Sequence, residues 1–447
     1  MGPLRAGAAR NVITPDLGSH IAGYFEDRIA EDTHDDLCAK ALVLESGDTS
    51  IAIVACDLIG LKLEDTDRAK ALAHELTGIP ADNIFICCTH THFGPTTSRG
   101  VNVIHGIDYM DWLPGRIADS VKMAQNRLRR GAVAYGVGFA KEGYNRRYHM
   151  KNGSVVTNPG ILNPDIVGPA GPTDPEVGLL SVMDEERNLV AALASYSLHY
   201  VGGPYGAVGS LKEGTSNVDT SITADYFGAF DAALQRMAGV EFVGIMLNGC
   251  SGDINNIDVT RPAPDFPDPW YQIRRVADVV AAAAYQGLRS IRLADYQTQV
   301  KLGAANDRFM LRRREFSPQD IAAARERLKG QTPKNLGDRD WLTANTILHL
   351  SELPLEQPTL IQAMRIGDVG LAGFPGEIFV EIGMEVKKRS PFKRTLTAEL
   401  ANDAIGYIPT PKAFEEGSYE AYTTPTSPTT APAMVESAVK LLNGLFD

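Results

Sequence analysis

The chain contains 447 residues, with 55 acidic and 43 basic side chains and a formal net charge of -12. A hydrophobic content of 44% and a charged content of 22% are typical of a globular protein and exclude a disordered chain. The sequence has no cluster of lysine and arginine, which argues against nucleic acid or an anionic membrane as the main partner. Self-association into a homo-oligomer stays open.

The apolar stretches and the cysteines predict a cellular location. The most apolar stretch, residues 276–285, is interrupted by Asp278 and is far shorter than the roughly 20 residues of a membrane span. The first residues lack the apolar core of a secretion signal. The five cysteines are an odd number and lie mostly in apolar runs, as expected for reduced core thiols. We therefore expect no membrane span and a cytoplasmic protein.

Apolar runs of strand length alternate with helical patterns along the chain. In chain order the predicted elements are strands at 41–44 and 51–56, a helix at 63–76, a strand at 84–88, a helix at 109–128, strands at 179–183 and 190–198, a helix at 224–237, a strand at 241–247, and helices at 271–288 and 434–445. This alternation predicts an α/β fold of layered mixed β-sheets flanked by helices.

The segments between these elements predict insertions within one domain. Residues 155–177 are rich in Pro, Gly and Asn and read as a long ordered loop. Residues 261–270 carry four prolines, so they should be extended, and we expect them to cover the functional site. Ser317 followed by Pro318 begins a helical insertion at about 317–350. No repeat or clear linker is present, so residues 1–447 are expected to form a single domain.

Two histidines follow the predicted strand 84–88 directly, as Thr89-His90-Thr91-His92. Residues i and i+2 of an extended chain point to the same side, so His90 and His92 can face one point. Neutral imidazole is the commonest protein ligand of zinc. The pair could equally be two hydrogen-bonded loop histidines, and the motif alone leaves both interpretations open.

The surrounding motifs resemble those of the neutral/alkaline, non-lysosomal ceramidase family. Thr89-His90-Thr91-His92-Phe93-Gly94-Pro95 resembles its T-H-T-H-S-G-P signature. Further matches occur in family order: Asn11-Val12-Ile13-Thr14-Pro15, Ala22-Gly23-Tyr24, Cys56-Asp57-Leu58-Ile59-Gly60-Leu61, Asn145-Arg146-Arg147, Thr173-Asp174-Pro175-Glu176-Val177, Ser197-Leu198-His199, Gly252-Asp253-Ile254, Pro375-Gly376-Glu377 and Gly406-Tyr407. The resemblance implies the fold of the family's N-terminal catalytic domain, with no residues left for its C-terminal immunoglobulin-like domain.

The resemblance also implies a Zn²⁺ ion and its ligands. Carried over position by position, the ligands are His90, His199, Glu377 and Tyr407. Taken singly, His199 could be a core histidine, Glu377 a solvated loop acid and Tyr407 a core aromatic residue. Together they form a nitrogen and oxygen set of the kind that zinc binds.

Three further positions match residues of the family that act on the substrate. His92 is expected to accept and return a proton. Tyr419 and Arg146 are expected to donate hydrogen bonds to the oxyanion that forms during hydrolysis. The alternatives are that Tyr419 only packs and that Arg146 pairs with a structural acid.

One position departs from the family pattern. The family segment G-D-V-S-P-N carries a serine, and this chain has Asn255 in its place, two residues after Asp253. An amide cannot act as a nucleophile, so Asn255 and Asp253 are expected to bind substrate only. The change argues against ceramide itself as the substrate, as does the absence of a membrane-binding feature in the sequence.

The sequence therefore predicts a zinc-dependent hydrolase that resembles neutral ceramidase. It would cleave an amide, or an ester or lactone, in a small or N-acyl substrate through a zinc-activated water. Two alternatives stay open: a zinc-dependent lyase or isomerase acting on a sugar-like metabolite, and a ligand-binding homologue without catalysis.

Overall fold

Two β-sheets face each other across a shared apolar layer in the computed structural model, which describes residues 2–24, 27–202, 219–263, 267–329 and 339–447. Leu42 and Ile53 of the larger sheet and Met364 and Leu371 of the smaller one belong to the same buried cluster. Helices cover the outer faces of both sheets. The layers are therefore helices, sheet, sheet and helices, which confirms the predicted α/β class.

The larger sheet has eight strands within the described residues. In spatial order they are Val243–Asn248, Leu189–Tyr196, Glu176–Asp184, Arg129–Phe139, Arg5–Val12, Cys38–Ser46, Thr49–Cys56 and Ile84–Cys88. The pair at each edge is parallel and all inner pairs are antiparallel. The strand predicted at 84–88 has these same bounds.

Among the residues that the structure describes, the smaller sheet has four strands, and it lies beside the C-terminal helix. Its strands are Leu302–Arg312, Glu356–Ile366, Val369–Gly373 and Arg394–Ala398. The described α-helices are Leu63–Thr77, Tyr109–Asn126, Asp225–Ala238, Tyr271–Ser290, Pro318–Arg327, Arg339–Ser351, Val380–Arg389, Pro411–Glu416, Tyr419–Thr423 and Thr430–Phe446. No helix in these described ranges is long and apolar enough to cross a membrane, and all five cysteines are buried and unpaired.

The segment after Arg394–Ala398 joins the two edges of the larger sheet. The Glu399 amide donates to the carbonyl of Asn248, which ends one edge strand, at 2.9 Å. The Leu400 carbonyl accepts from the amide of Cys88, which ends the other edge strand, at 3.1 Å. The sheet therefore curls, and the ends of strands far apart in its order come together.

The structure describes most of the three segments that the sequence predicts to be insertions. Residues 155–177 are not one loop: Val155–Thr157 and Ile166–Pro169 pair with Arg147–Met150 in a three-stranded sheet, because the intervening Pro and Gly residues form turns between short extended pieces. Within the Pro-rich segment 261–270, residues 264–266 lie outside the described residues. The predicted insertion at about 317–350 contains the helices Pro318–Arg327 and Arg339–Ser351.

Candidate metal centre and its cavity

His90 and His199 each follow a strand of the curled sheet. His90 comes two residues after Ile84–Cys88 and has a φ of 72°, a left-handed conformation that turns the chain sharply. Its Nδ1 contacts the Ile59 carbonyl oxygen at 2.7 Å, which leaves Nε2 free to face the centre. His199 comes three residues after Leu189–Tyr196. Because the sheet curls, the centroids of the two rings lie only 4.5 Å apart.

Glu377 and Tyr407 are held side by side by backbone pairing. They are register partners in a parallel pair of two-residue strands, and the Glu377 amide donates to the Gly406 carbonyl at 3.0 Å. A Cβ atom on Gly376 would lie 2.5 Å from that same carbonyl oxygen, and Gly406 has a φ of 91°. The two glycines of the Pro-Gly-Glu and Gly-Tyr motifs therefore permit the close approach that brings the two side chains together.

The carboxylate of Glu377 lies at the meeting point of the two histidines. Its Oε2 atom is 3.5 Å from His90 Nε2 and 3.8 Å from His199 Nδ1. One ring nitrogen from each of His90, His92 and His199 lies within 4.8 Å of the other two. The structure therefore brings together His90, His199, Glu377 and the adjacent Tyr407, and it places His92 beside them.

Glu377 Oε2 provides a test of whether these residues suit a metal ion. It is buried and has no hydrogen-bond partner within the part of the chain that the structure describes. A carboxylate oxygen that is buried without a hydrogen bond is unfavourable, and a bound cation would compensate it. Burial and the Arg146 guanidinium hold the pKa of His199 well below its usual value, so this imidazole is neutral and has a lone pair to offer. The donor set fits Zn²⁺.

His92 is packed against the same cluster. Its Nε2 lies 3.1 Å from Nε2 of His199. Gly23, with a φ of 104°, allows this packing, since a Cβ atom there would lie 2.6 Å from the His92 Cβ. Burial, together with the neighbouring His90, lowers the pKa of His92 well below its usual value. A neutral imidazole at this position can either accept a proton or act as a further metal ligand.

Arg146 sits beside the cluster and is anchored by a buried acid. Its Nε donates to Glu420 Oε1 at 2.8 Å and its Nη2 to the Gly252 carbonyl at 2.7 Å. Its Nη1 lies 3.4 Å from His199 Nδ1, and its Cζ is 5.4 Å from the centroid of the Tyr407 ring. Arg146 therefore pairs with a structural acid, Glu420, and also lies beside the predicted metal ligands His199 and Tyr407.

Tyr419 also lies next to the predicted ligands. Its ring meets that of Tyr407 edge to face, with centroids 5.6 Å apart. Burial, with the nearby negative charge of Glu377, raises the pKa of Tyr419 to about 12. The phenol is therefore protonated at neutral pH and able to donate a hydrogen bond.

Asp253 and Asn255 are buried and bonded to protein groups. Asp253 accepts from the Val380 amide at 2.8 Å and from Asn145 Nδ2 at 2.7 Å, and burial raises its pKa to about 6. Asn255 donates to Asn158 Oδ1 at 3.0 Å. Neither lines the cavity described below. Their contact with substrate stays a prediction.

Two buried glutamates near the centre were not identified from the sequence. Glu420 binds Arg146 and also accepts from Arg147 Nη1 at 3.0 Å. Glu399 accepts from the Ser251 hydroxyl at 2.5 Å and from the Ile378 amide at 2.9 Å, and so fixes the residue after Glu377. Neither lies in one of the matched motifs, and a single acid in a chain with 55 acidic residues gives no local signal.

A cavity of about 850 Å³ opens onto the centre, and His90, Glu377 and Tyr419 are part of its wall. The helix Arg339–Ser351 contributes Leu342, Asn345, Thr346, His349 and Leu350 to the lining. No described residue of the Pro-rich segment 261–270 lines it. Within the described residues, the helical insertion covers the centre and the Pro-rich segment does not.

The four layers place this chain in the class of proteins with the fold of neutral ceramidase. The crystal structure of neutral ceramidase from Pseudomonas aeruginosa matches all of this chain and 75% of that chain, with a TM-score of 0.72 and 20% sequence identity. A ceramidase complexed with C2 matches with the same TM-score and 19% identity, over 76% of its own length. These structures confirm the predicted fold.

The sequence comparison points to the same relative. The chain is 23% identical to neutral ceramidase of Pseudomonas aeruginosa over 473 aligned positions, which cover 90% of this chain and 66% of that protein. The chain thus spans slightly less than two thirds of the length of this relative. No protein-family model matches the sequence. The resemblance identified from the motifs is confirmed as a similarity to neutral ceramidase.

Proposed function

We propose that this chain is a zinc-dependent hydrolase of amide bonds, with esters or lactones as related substrates. The observation that carries the proposal is the buried, unpartnered Oε2 of Glu377 between His90 and His199, in the wall of a large cavity. The sequence and fold similarity to neutral ceramidase supports an amide as the bond that is cleaved.

His90, His199, Glu377 and Tyr407 would hold the metal. A bound Zn²⁺ would supply Lewis acidity, which polarises a carbonyl group and makes water easier to deprotonate. In the reaction the amide C–N bond breaks, the oxygen of water joins the acyl carbon, and the leaving nitrogen takes up a proton.

The surrounding side chains would handle the proton and the developing charge. His92, a half-buried neutral imidazole, is suited to take the proton from the attacking water and to return it to the leaving nitrogen. Tyr419 lines the cavity with a protonated phenol, and Arg146 lies behind the centre with a fixed guanidinium. Both can donate hydrogen bonds to an oxyanion.

The lining of the cavity argues against ceramide as the substrate. Besides leucines it contains the charged residues Lys62, Glu64, Asp65, Arg99 and Arg313. Burying alkyl chains against charged groups gains little, because those groups must give up their remaining contacts with water. We propose instead a smaller amide or N-acyl compound with polar groups.

A substrate panel with and without metal tests the function. The full-length protein, stripped with a chelator and then reloaded with Zn²⁺, would be assayed on N-acyl 4-nitroanilides, 4-nitrophenyl esters, lactones and a short-chain ceramide. We expect hydrolysis of an anilide that disappears on stripping and returns with Zn²⁺. Activity that survives complete removal of metal would contradict the proposal, as would hydrolysis of none of these compounds.

A further inference from the structure

Arg313 in the cavity wall has a guanidinium that the protein does not neutralise. Among the described residues, its buried Nε has no hydrogen-bond partner, and its Nη2 contacts only the neutral amide oxygen of Gln357. Within the described ranges no carboxylate forms an ion pair with it. Burial lowers the pKa of Arg313, and the more distant Asp403 offsets this only in part. A partly desolvated cation of this kind favours an anionic partner.

The other cations of the same cavity have partners. Arg99 pairs with Asp65, and with Asp111 at 3.2 Å. Lys62 donates to the Ala404 carbonyl at 2.6 Å. Arg313 is therefore the cavity cation whose hydrogen-bonding capacity is least used among those that the structure describes.

The surroundings of Arg313 indicate the kind of group that it would bind. Leu311, near the end of the strand Leu302–Arg312 that directly precedes Arg313, lines the cavity with it, and Leu342, Leu350 and Leu353 add further apolar surface. The cavity thus presents a leucine surface and a guanidinium in the same wall. This combination fits a short alkyl chain that ends in an anion, to which the remaining N–H groups of the guanidinium can donate charge-assisted hydrogen bonds.

We propose that Arg313 is a specificity residue that binds a carboxylate on the non-reacting part of the substrate. The inference rests on the proposed function for the statement that the bound molecule is cleaved. The binding itself depends only on the cavity. The substrate class is then an amide whose acyl chain carries a terminal carboxylate.

Two chromogenic amides of nearly equal size test this inference. N-glutaryl 4-nitroanilide carries a terminal carboxylate, and N-pentanoyl 4-nitroanilide ends in a methyl group. We expect the zinc-loaded parent to have a KM at least about tenfold lower for the glutaryl compound, as a charge-assisted hydrogen bond provides. In Arg313→Gln that advantage should disappear, with the KM for the pentanoyl compound and both kcat values within about twofold of the parent.

Two matched variants and one binding measurement complete the test. Arg99→Gln removes a paired cation from the same cavity and should retain the preference, and Arg313→Lys should restore part of it. If the parent cleaves neither anilide, calorimetry with glutarate tests the site: binding by the parent that Arg313→Gln loses supports the carboxylate site while the hydrolase proposal fails. Equal KM values for both anilides in the parent would overturn the inference, as would unchanged glutarate binding in Arg313→Gln.

Discussion

Glu377 and Tyr407 are direct neighbours in a parallel strand pair, although Tyr407 comes 30 positions later in the sequence. This pairing fixes a carboxylate and a phenol relative to each other through the backbone. Glu399 fixes the same segment from behind by accepting from the Ile378 amide. The backbone therefore fixes two of the proposed ligands relative to each other. The two histidines that follow strands of the larger sheet complete the proposed ligand set.

Replacing Glu377 by Gln should weaken zinc binding by at least about 100-fold, beyond the 10–100-fold effect typical of residues outside the ligand set. The amide keeps the shape of the side chain but removes the negative charge between His90 and His199. Competition with a chromogenic chelator measures the affinity. Glu381→Gln, on the following helix, is the matched control and should bind zinc as the parent does. Equal affinities for both variants would contradict the role of Glu377.

His92→Asn should separate proton transfer from metal binding. We expect kcat to fall by about 10²- to 10⁴-fold, the range for loss of a general acid–base group. The zinc content, measured by plasma mass spectrometry, should stay at that of the parent. Loss of zinc together with activity would show instead that His92 is a ligand, which its 3.1 Å distance from His199 would also accommodate.

Glu420→Gln should destabilise the protein by about 3–5 kcal/mol in the free energy of unfolding, because it leaves the buried Arg146 without a carboxylate and Arg147 with Glu416 alone. Burial alone would raise the pKa of Glu420, but Arg146 and Arg147 outweigh it and lower the pKa. Urea denaturation followed by circular dichroism measures the change. The exposed Glu415→Gln serves as the control. A change below about 1 kcal/mol for Glu420→Gln would contradict the proposed role of Glu420 in stabilising the two buried arginines.

Lys70 should make stability depend on alkaline pH. It is buried on the helix Leu63–Thr77, and burial lowers its pKa from 10.5 to about 8. Between these values the unfolded chain binds more protons than the folded one, so the free energy of unfolding should rise as pH increases from 8 towards 10.5. Below pH 8 Lys70 is charged in the folded protein, and its burial then lowers the free energy of unfolding by about 3 kcal/mol, the value for a pKa shift of this size.

The Lys70→Met variant isolates this contribution. It should unfold at higher urea concentration than the parent at pH 7, and the difference between the two proteins should shrink as the pH approaches 10. A difference that stays constant between pH 7 and pH 10 would show that the titration of Lys70 is not its cause.

The local parts of the site could be predicted from the sequence. The strand at 84–88 follows from an apolar run, but the i, i+2 spacing does not explain how His90 and His92 meet, because His90 has a φ of 72° and is not extended. The motif matches supplied His199, Glu377 and Tyr407, and the structure brings these residues together. Arg5–Val12 and Arg129–Phe139 were missed as strands, since both are rich in Ala, Gly and Arg and lack a strong apolar pattern.

The meeting of the two histidines could not be predicted in this way. The strands before His90 and His199 are six positions apart in the sheet order, which corresponds to roughly 29 Å in a flat sheet with a strand spacing of roughly 4.8 Å. Their ring centroids are 4.5 Å apart because Glu399 and Leu400 join both edges of the sheet. Glu399 lies more than 150 residues after Asn248 in the sequence, and Leu400 lies more than 300 residues after Cys88. No local sequence pattern encodes contacts between segments so far apart.

Anomalous diffraction at the zinc absorption edge, from crystals of the zinc-loaded protein, tests the central proposal most directly. We expect one strong peak about 2.0–2.2 Å from a nitrogen of His90, a nitrogen of His199, an oxygen of Glu377 and the phenol oxygen of Tyr407, the distances typical of zinc. The absence of a peak within the cavity, or a peak more than about 3 Å from Glu377, would contradict the proposed metal centre.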